Sequence, residues 1–193
     1  AVWELVDSFH KNQEVTLLLA SGYTSKLTDA SMELRTLPVY NFEVEAISEK
    51  IGHNYYANNI LVHNAIKYDT PYGTPYGTPY GTPYGTPYGT PSTCFVAGTP
   101  ILLGDGTTKP IEDIALGDII TIYDEETGRQ TTSRVNKLIH HGTREYTIYT
   151  LRLEDGTKIE VTPEHTFYEP TKQKYTAVWE LVDSFHKNQE VTL

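Results

Sequence analysis

Apolar positions along the chain fall mostly into short β-branched and aromatic runs. DIITIY (118–123), YTIYTLRL (146–153), TKIEVT (157–162), VYNFEVE (39–45) and NILV (59–62) alternate partially between apolar and polar, as half-buried strands do. Asp105-Gly106, Thr127-Gly128 and Asp155-Gly156 sit between such runs and predict tight hairpins. One stretch has a helical period instead. Val178, Leu181, Val182 and Phe185 recur at i, i+3, i+4 and i+7, the apolar stripe of a short amphipathic helix. The pattern predicts an all-β domain of many short strands with one or two short helices.

Two repeats interrupt this pattern. TPYG runs five times from Thr70 to Gly89, and proline at every fourth position forbids regular helix and central strand. Residues 65–93 are therefore expected to be an exposed linker. The second repeat is AVWELVDSFHKNQEVTL, which occupies 1–17 and returns unchanged as 177–193. Its first copy carries the same stripe at Val2, Leu5, Val6 and Phe9, and a single core has one slot for that helix. Reading 94–193 and continuing at 18–64 restores one uninterrupted unit of about 147 residues, large enough for a real core. Three parts follow: a first piece over 1–64, the linker or excised segment over 65–93, and a second piece over 94–193.

Composition narrows the function. A net charge of −10 gives no nucleic-acid footprint, and no apolar run approaches a membrane span. A single cysteine excludes an internal disulfide framework and leaves Cys94 as the one thiol nucleophile. No cofactor motif or convincing metal constellation is evident. His63 and His165 beside Cys94 would give zinc a place to inhibit by ligation.

In the rejoined unit Cys94 comes first and His63-Asn64 comes last, so each end is a peptide bond that its own residue can break. Cys94 Sγ can attack the Thr93 carbonyl and convert the Thr93–Cys94 amide to a thioester. The Asn64 side-chain amide can attack the Asn64 carbonyl, closing a succinimide and releasing Ala65. Both steps need a polarised amide and positioned proton-transfer groups. Taken singly, His165, His53 and His63 read more simply as packed strand or loop residues, and Thr162 as β propensity. His140, His141, His10 and His186 fit no motif and read as surface. Asn58-Asn59 reads as a turn.

CFVAGTPIL (94–102), VTPEHTF (161–167) and HNYYANNILVHNA (53–65), in that order in the rejoined unit, resemble the Hint superfamily of inteins and hedgehog autoprocessing domains, most closely its bacterial intein-like members. The resemblance implies a pseudo-two-fold β horseshoe with both ends meeting centrally. It assigns Cys94 as the N-terminal nucleophile. Thr162 and His165 become the Thr-x-x-His pair that polarises the Thr93–Cys94 amide and protonates its nitrogen. His53 becomes an acid–base or orienting group, His63 the assistant at the Asn64 carbonyl, and Asn64 the cyclising residue. Two positions depart from the pattern. Ala65 lacks the nucleophile of an ordinary splicing acceptor. Asn41 stands where inteins commonly carry Asp, so it cannot act as a carboxylate base and is a candidate modulator of coordination. The resemblance also implies a bacterial origin, with secreted proteins among the family's hosts; no targeting segment is recognised, and the compartment stays open.

The expected activity is single-turnover autocleavage, with the 65–93 segment released linear or cyclic and ordinary splicing impaired by Ala65. The alternative is a slow or silent scaffold whose pieces swap between chains. The expected partner is the chain itself, within one molecule or as a homo-oligomer.

Overall fold

The computed structural model describes residues 14–48, 52–63 and 93–190. The linker repeats, Asn64, Ala65, residues 1–13 of the first duplicate, where a helix is expected from sequence, and the last three residues lie outside the described residues.

The first piece supplies β1 (Thr16–Leu18), β2 (Thr24–Val44), β3 (Asn54–Ala57) and β4 (Ile60–His63). The second supplies β5 (Phe95–Val96), β6 (Pro100–Leu102), β7 (Thr108–Pro110), β8 (Ile119–Asp124), β9 (Arg129–Leu153), β10 (Lys158–Val161), β11 (Thr166–Glu169), β12 (Lys174–Ala177) and α1 (Val178–Glu190). Among the described residues these strands make two six-stranded sheets, β1-β2-β5-β10-β9-β8 and β12-β11-β4-β3-β6-β7. Both sheets interleave strands from 14–63 with strands from 95–177, so neither piece holds a complete sheet alone. In the first sheet β2 also pairs directly with β9, which closes β2, β5, β10 and β9 into a ring of pairings.

The all-β expectation holds, with a correction to strand length. β2 has 21 residues and β9 has 25, and they pair antiparallel from Leu27↔Leu153 to Val44↔Val135 with three register shifts. Much of this ribbon is exposed on both faces, including Met32, Leu34 and Leu138, so no core-facing alternation announces it. Cross-strand pairing carries the extended backbone where local pattern does not. The hairpin turns are where expected: Gly106, Gly128 and Gly156 all take positive φ, a conformation that costs a glycine nothing. Asn58 and Asn59 also take positive φ between β3 and β4 and form a hairpin turn.

The core joins both sheets and α1. Val178, Leu181 and Val182 are buried and Phe185 packs against the same cluster, which includes Leu17, Phe42, Tyr55, Phe95, Ile101, Val161 and Phe167. The helical slot is thus filled by the second copy of the duplicated segment. The strand that follows it in the duplicate is filled by the first copy: Val15 and Leu17 are buried, and β1 pairs with β2. The core is a composite, with its helix from one copy and its strand from the other. No helix of the described residues is long and apolar enough to cross a membrane.

Candidate active site around Cys94

Cys94 lies immediately before β5, one of the four strands in that ring of pairings. β5 pairs with β10 through Phe95↔Val161 and with β2 through Tyr40↔Phe95 and Val39↔Val96. This short strand therefore presents the Thr93–Cys94 peptide between β2 on one side and the turn after β10 on the other.

The turn after β10 carries Thr162 and His165. Thr162 grips the cysteine backbone from three directions. Its Oγ1 accepts from Cys94 N–H at 2.8 Å and donates to Cys94 O at 3.1 Å, and its own N–H donates to Cys94 O at 3.0 Å. The His165 N–H returns to Thr162 O at 3.3 Å, and His165 O accepts from Val178 N–H at 2.8 Å, which ties the turn to the start of α1. The His165 ring packs on Phe95 with centroids 4.2 Å apart, beside the residue that follows the nucleophile. It is fully buried, and neither ring nitrogen meets hydrogen-bond geometry with any described residue. Burial pushes this imidazole down to about 3, outweighing the pull of the neighbouring Thr166 backbone.

Cys94 is itself buried, packed with Val39, Tyr146 and Ile148. Burial pushes its thiol up to about 12, against an opposing pull from the Arg144 guanidinium. Arg144 is held by an Nε–H bond of 2.7 Å to the Tyr146 hydroxyl. At rest the thiol and the imidazole are both neutral.

The Thr93 side of the bond meets Asn41. Asn41 is 3% exposed, and its Nδ2 donates to Thr93 O, the carbonyl of the Thr93–Cys94 amide, and to Thr93 Oγ1 at 3.3 Å. Asn41 Oδ1 accepts from Phe42 N–H and from the Tyr55 hydroxyl, both at 2.8 Å.

One family model matches the chain, that of the Hint module, over residues 86–189. The chain belongs to the Hint family. Hint modules are self-processing domains, and the match runs from ahead of Cys94 into α1, taking in Thr162 and His165. No curated protein matches the chain.

At the other expected cleavage point the described residues run only to His63. β4 delivers His63 beside β11, where Thr166 is its cross-strand partner and Thr166 Oγ1 donates to His63 O at 3.4 Å. The His63 ring lies 4.7 Å from the Tyr175 ring and 6.1 Å from that of His53. Burial, and after it the charge of His53, push the His63 imidazole down to about 4. Asn64 and Ala65 follow directly but lie outside the described residues. His63 and His165 are close enough that the charge of one lowers the affinity of the other for a proton. Among the described residues no group of three or more His, Cys, Asp or Glu side chains is arranged to hold a metal ion.

The structure therefore brings Thr93, Cys94, Thr162, His165 and Asn41 together, with His63 near His165 and His53 near His63. Sequence reasoning missed Tyr55, Tyr175, Asn54 and Arg144. Asn54 is buried and exchanges two hydrogen bonds with the Tyr123 backbone, 2.9 and 2.7 Å, pinning the strand that follows His53 to β8. Each acts through a contact made only on folding: Asn54 and Tyr55 lie within the 53–65 stretch but drew no role from it, and Arg144 and Tyr175 belong to no motif. His140 is exposed and stacks on Tyr40, and His186 is exposed, as expected of surface histidines.

Proposed function

We propose that this chain is a self-processing intein-like Hint module in permuted order that cuts itself at Thr93–Cys94 and at Asn64–Ala65. The observation that supports this most is the grip of Thr162 on Cys94 N–H, with His165 buried in the same turn. In the first step Cys94 Sγ bonds to the Thr93 carbonyl carbon and the Thr93–Cys94 C–N bond breaks. The thiol proton passes through the His165 imidazole to Cys94 N, which leaves as an amine. A neutral thiol and a neutral imidazole supply the acid and base this transfer needs at neutral pH. Their shifted proton affinities make the transfer uphill, which suits a slow single-turnover event. In the second step the Asn64 side-chain nitrogen bonds to the Asn64 carbonyl carbon and the bond to Ala65 breaks, with His63 and His53 managing the proton. Ala65 offers no side-chain acceptor, so the branched intermediate of ordinary splicing does not form. The Ala65 amine can instead attack the Thr93 thioester at high effective molarity, giving a cyclic 65–93 peptide. Hydrolysis gives the linear one.

The test is cleavage of the purified chain and of C94A and N64A variants, read by mass. Loss of the 93/94 cut alone in C94A and of the 64/65 cut alone in N64A supports the reading. Equal cutting in all three chains contradicts it.

The composite core favours a second reading beside the first. Because helix and strand come from different copies, each chain carries a surplus of both, and pieces from two chains can complete one another. Size that rises with concentration supports exchange between chains; a monomer at all concentrations opposes it.

A further inference from the structure

Asn41 is more than a neutral stand-in for an acid. Its amide orientation is fixed by chemistry. Two donors, Phe42 N–H and the Tyr55 hydroxyl, converge on one end of the side chain, and only an oxygen accepts from both. The NH2 end is thereby turned toward Thr93 O. The backbone register explains the reach: Tyr40 pairs with Phe95 and Val39 with Val96, so the next position of β2 stands across from Cys94. Both side chains are dry, with Tyr55 fully buried. A fixed dipole in such a site acts more strongly than in water and needs no reorganisation during reaction.

We propose that Asn41 is the oxyanion donor for the Thr93–Cys94 bond and that Tyr55 is the positioning residue that aims it. This rests on the self-processing reading above. As Cys94 Sγ adds to the Thr93 carbonyl carbon, the C=O electron pair moves onto Thr93 O. Negative charge develops on the atom that Asn41 Nδ2 already touches. When the C–N bond breaks, that pair returns to re-form the carbonyl of the thioester. Asn41 is thus a catalytic residue of the first step. An aspartate here would, once ionised, set its charge against that of the developing oxyanion.

The test compares the full chain with N41A, N41D and Y55F, following cleavage at Thr93–Cys94 under saturating thiol from pH 5 to 8. N41A is expected to slow the cut by roughly 100-fold or more, the usual effect of losing one oxyanion donor. Y55F removes one hydroxyl, and is expected to slow it less. N41D keeps the size of the side chain and tests the role separately from folding. It is expected to cut faster at pH 5, where a protonated carboxyl can donate, and to lose that rate toward pH 8. A parental chain that cuts, with N41A and N41D matching it in rate and pH profile, overturns the assignment of Asn41 and leaves self-processing intact. A parental chain that does not cut removes the self-processing reading instead. The carbonyl 13C shift of Thr93 in the uncut chain then decides the contact: an upfield move in N41A supports it, and an unchanged shift overturns it.

Discussion

The threonine at 162 shows how much one hydroxyl can carry. Cys94 N–H is buried and Thr162 Oγ1 is its partner. Thr162→Val keeps the shape and removes that acceptor. It is expected to destabilise the fold by about 1–3 kcal/mol, the penalty for a buried amide left unpaired, and to slow the first cut. Urea unfolding and cleavage kinetics on the same protein measure both. The proposed proton relay through His165 makes a second prediction. Thiol and imidazole are both neutral from about pH 5 to 9, since burial holds them at about 12 and about 3. Under saturating thiol the first cut should therefore be nearly flat with pH over that range. A rate rising roughly tenfold per pH unit would indicate attack by pre-formed thiolate instead. The same histidines set acid sensitivity. The folded imidazoles of His165 and His63 bind protons more weakly than the unfolded ones, whose ordinary value is about 6.5. Their contribution to stability is complete above that value and is lost as pH falls from about 6.5 toward 4 and 3. Thermal midpoints should drop across that window, and less steeply in His165→Leu, which has no proton to bind there.

At the scale of elements, the duplicated helix gives the sharpest expectation. Leu181 is fully buried in α1. If the slot belongs to the second copy, Leu181→Ala costs about 2–5 kcal/mol and Leu5→Ala costs nothing measurable by chemical denaturation. Similar small losses from each, and a large loss from the pair, would show that the copies exchange. The helix itself was legible because its stripe has a clean period and its residues do face the core. The short strands were legible because Ile, Val, Thr and Tyr cluster between glycine turns. The ribbon of β2 and β9 was not, because positions such as Met32, Leu34 and Leu138 are apolar yet exposed, so sequence period and burial part company. At the site, Cys94, Thr162, His165 and His63 were legible through their motif order. The part of Asn41 was not. From sequence it read as a missing base, whereas the role proposed for it rests on Tyr55 and Phe42 turning its amide, contacts that no local pattern encodes. Arg144 and Tyr175 were invisible for the same reason.

For the whole molecule, the arrangement of the pieces matters as much as the site. Both sheets mix strands from either side of the linker, so the linker's two ends leave from one domain. β4 ends at His63, and Cys94 stands immediately before β5 within the same fold. A cut at both bonds leaves two pieces that stay associated through those sheets, and the 65–93 peptide alone departs. The intact mass of freshly purified chain, taken under denaturing conditions with and without added thiol, tests the central claim most directly. The account predicts one fragment ending at Asn64, one beginning at Cys94, and a 65–93 peptide that is either linear or lighter by one water. A single uncut mass of 21.8 kDa that survives thiol and long incubation would contradict it.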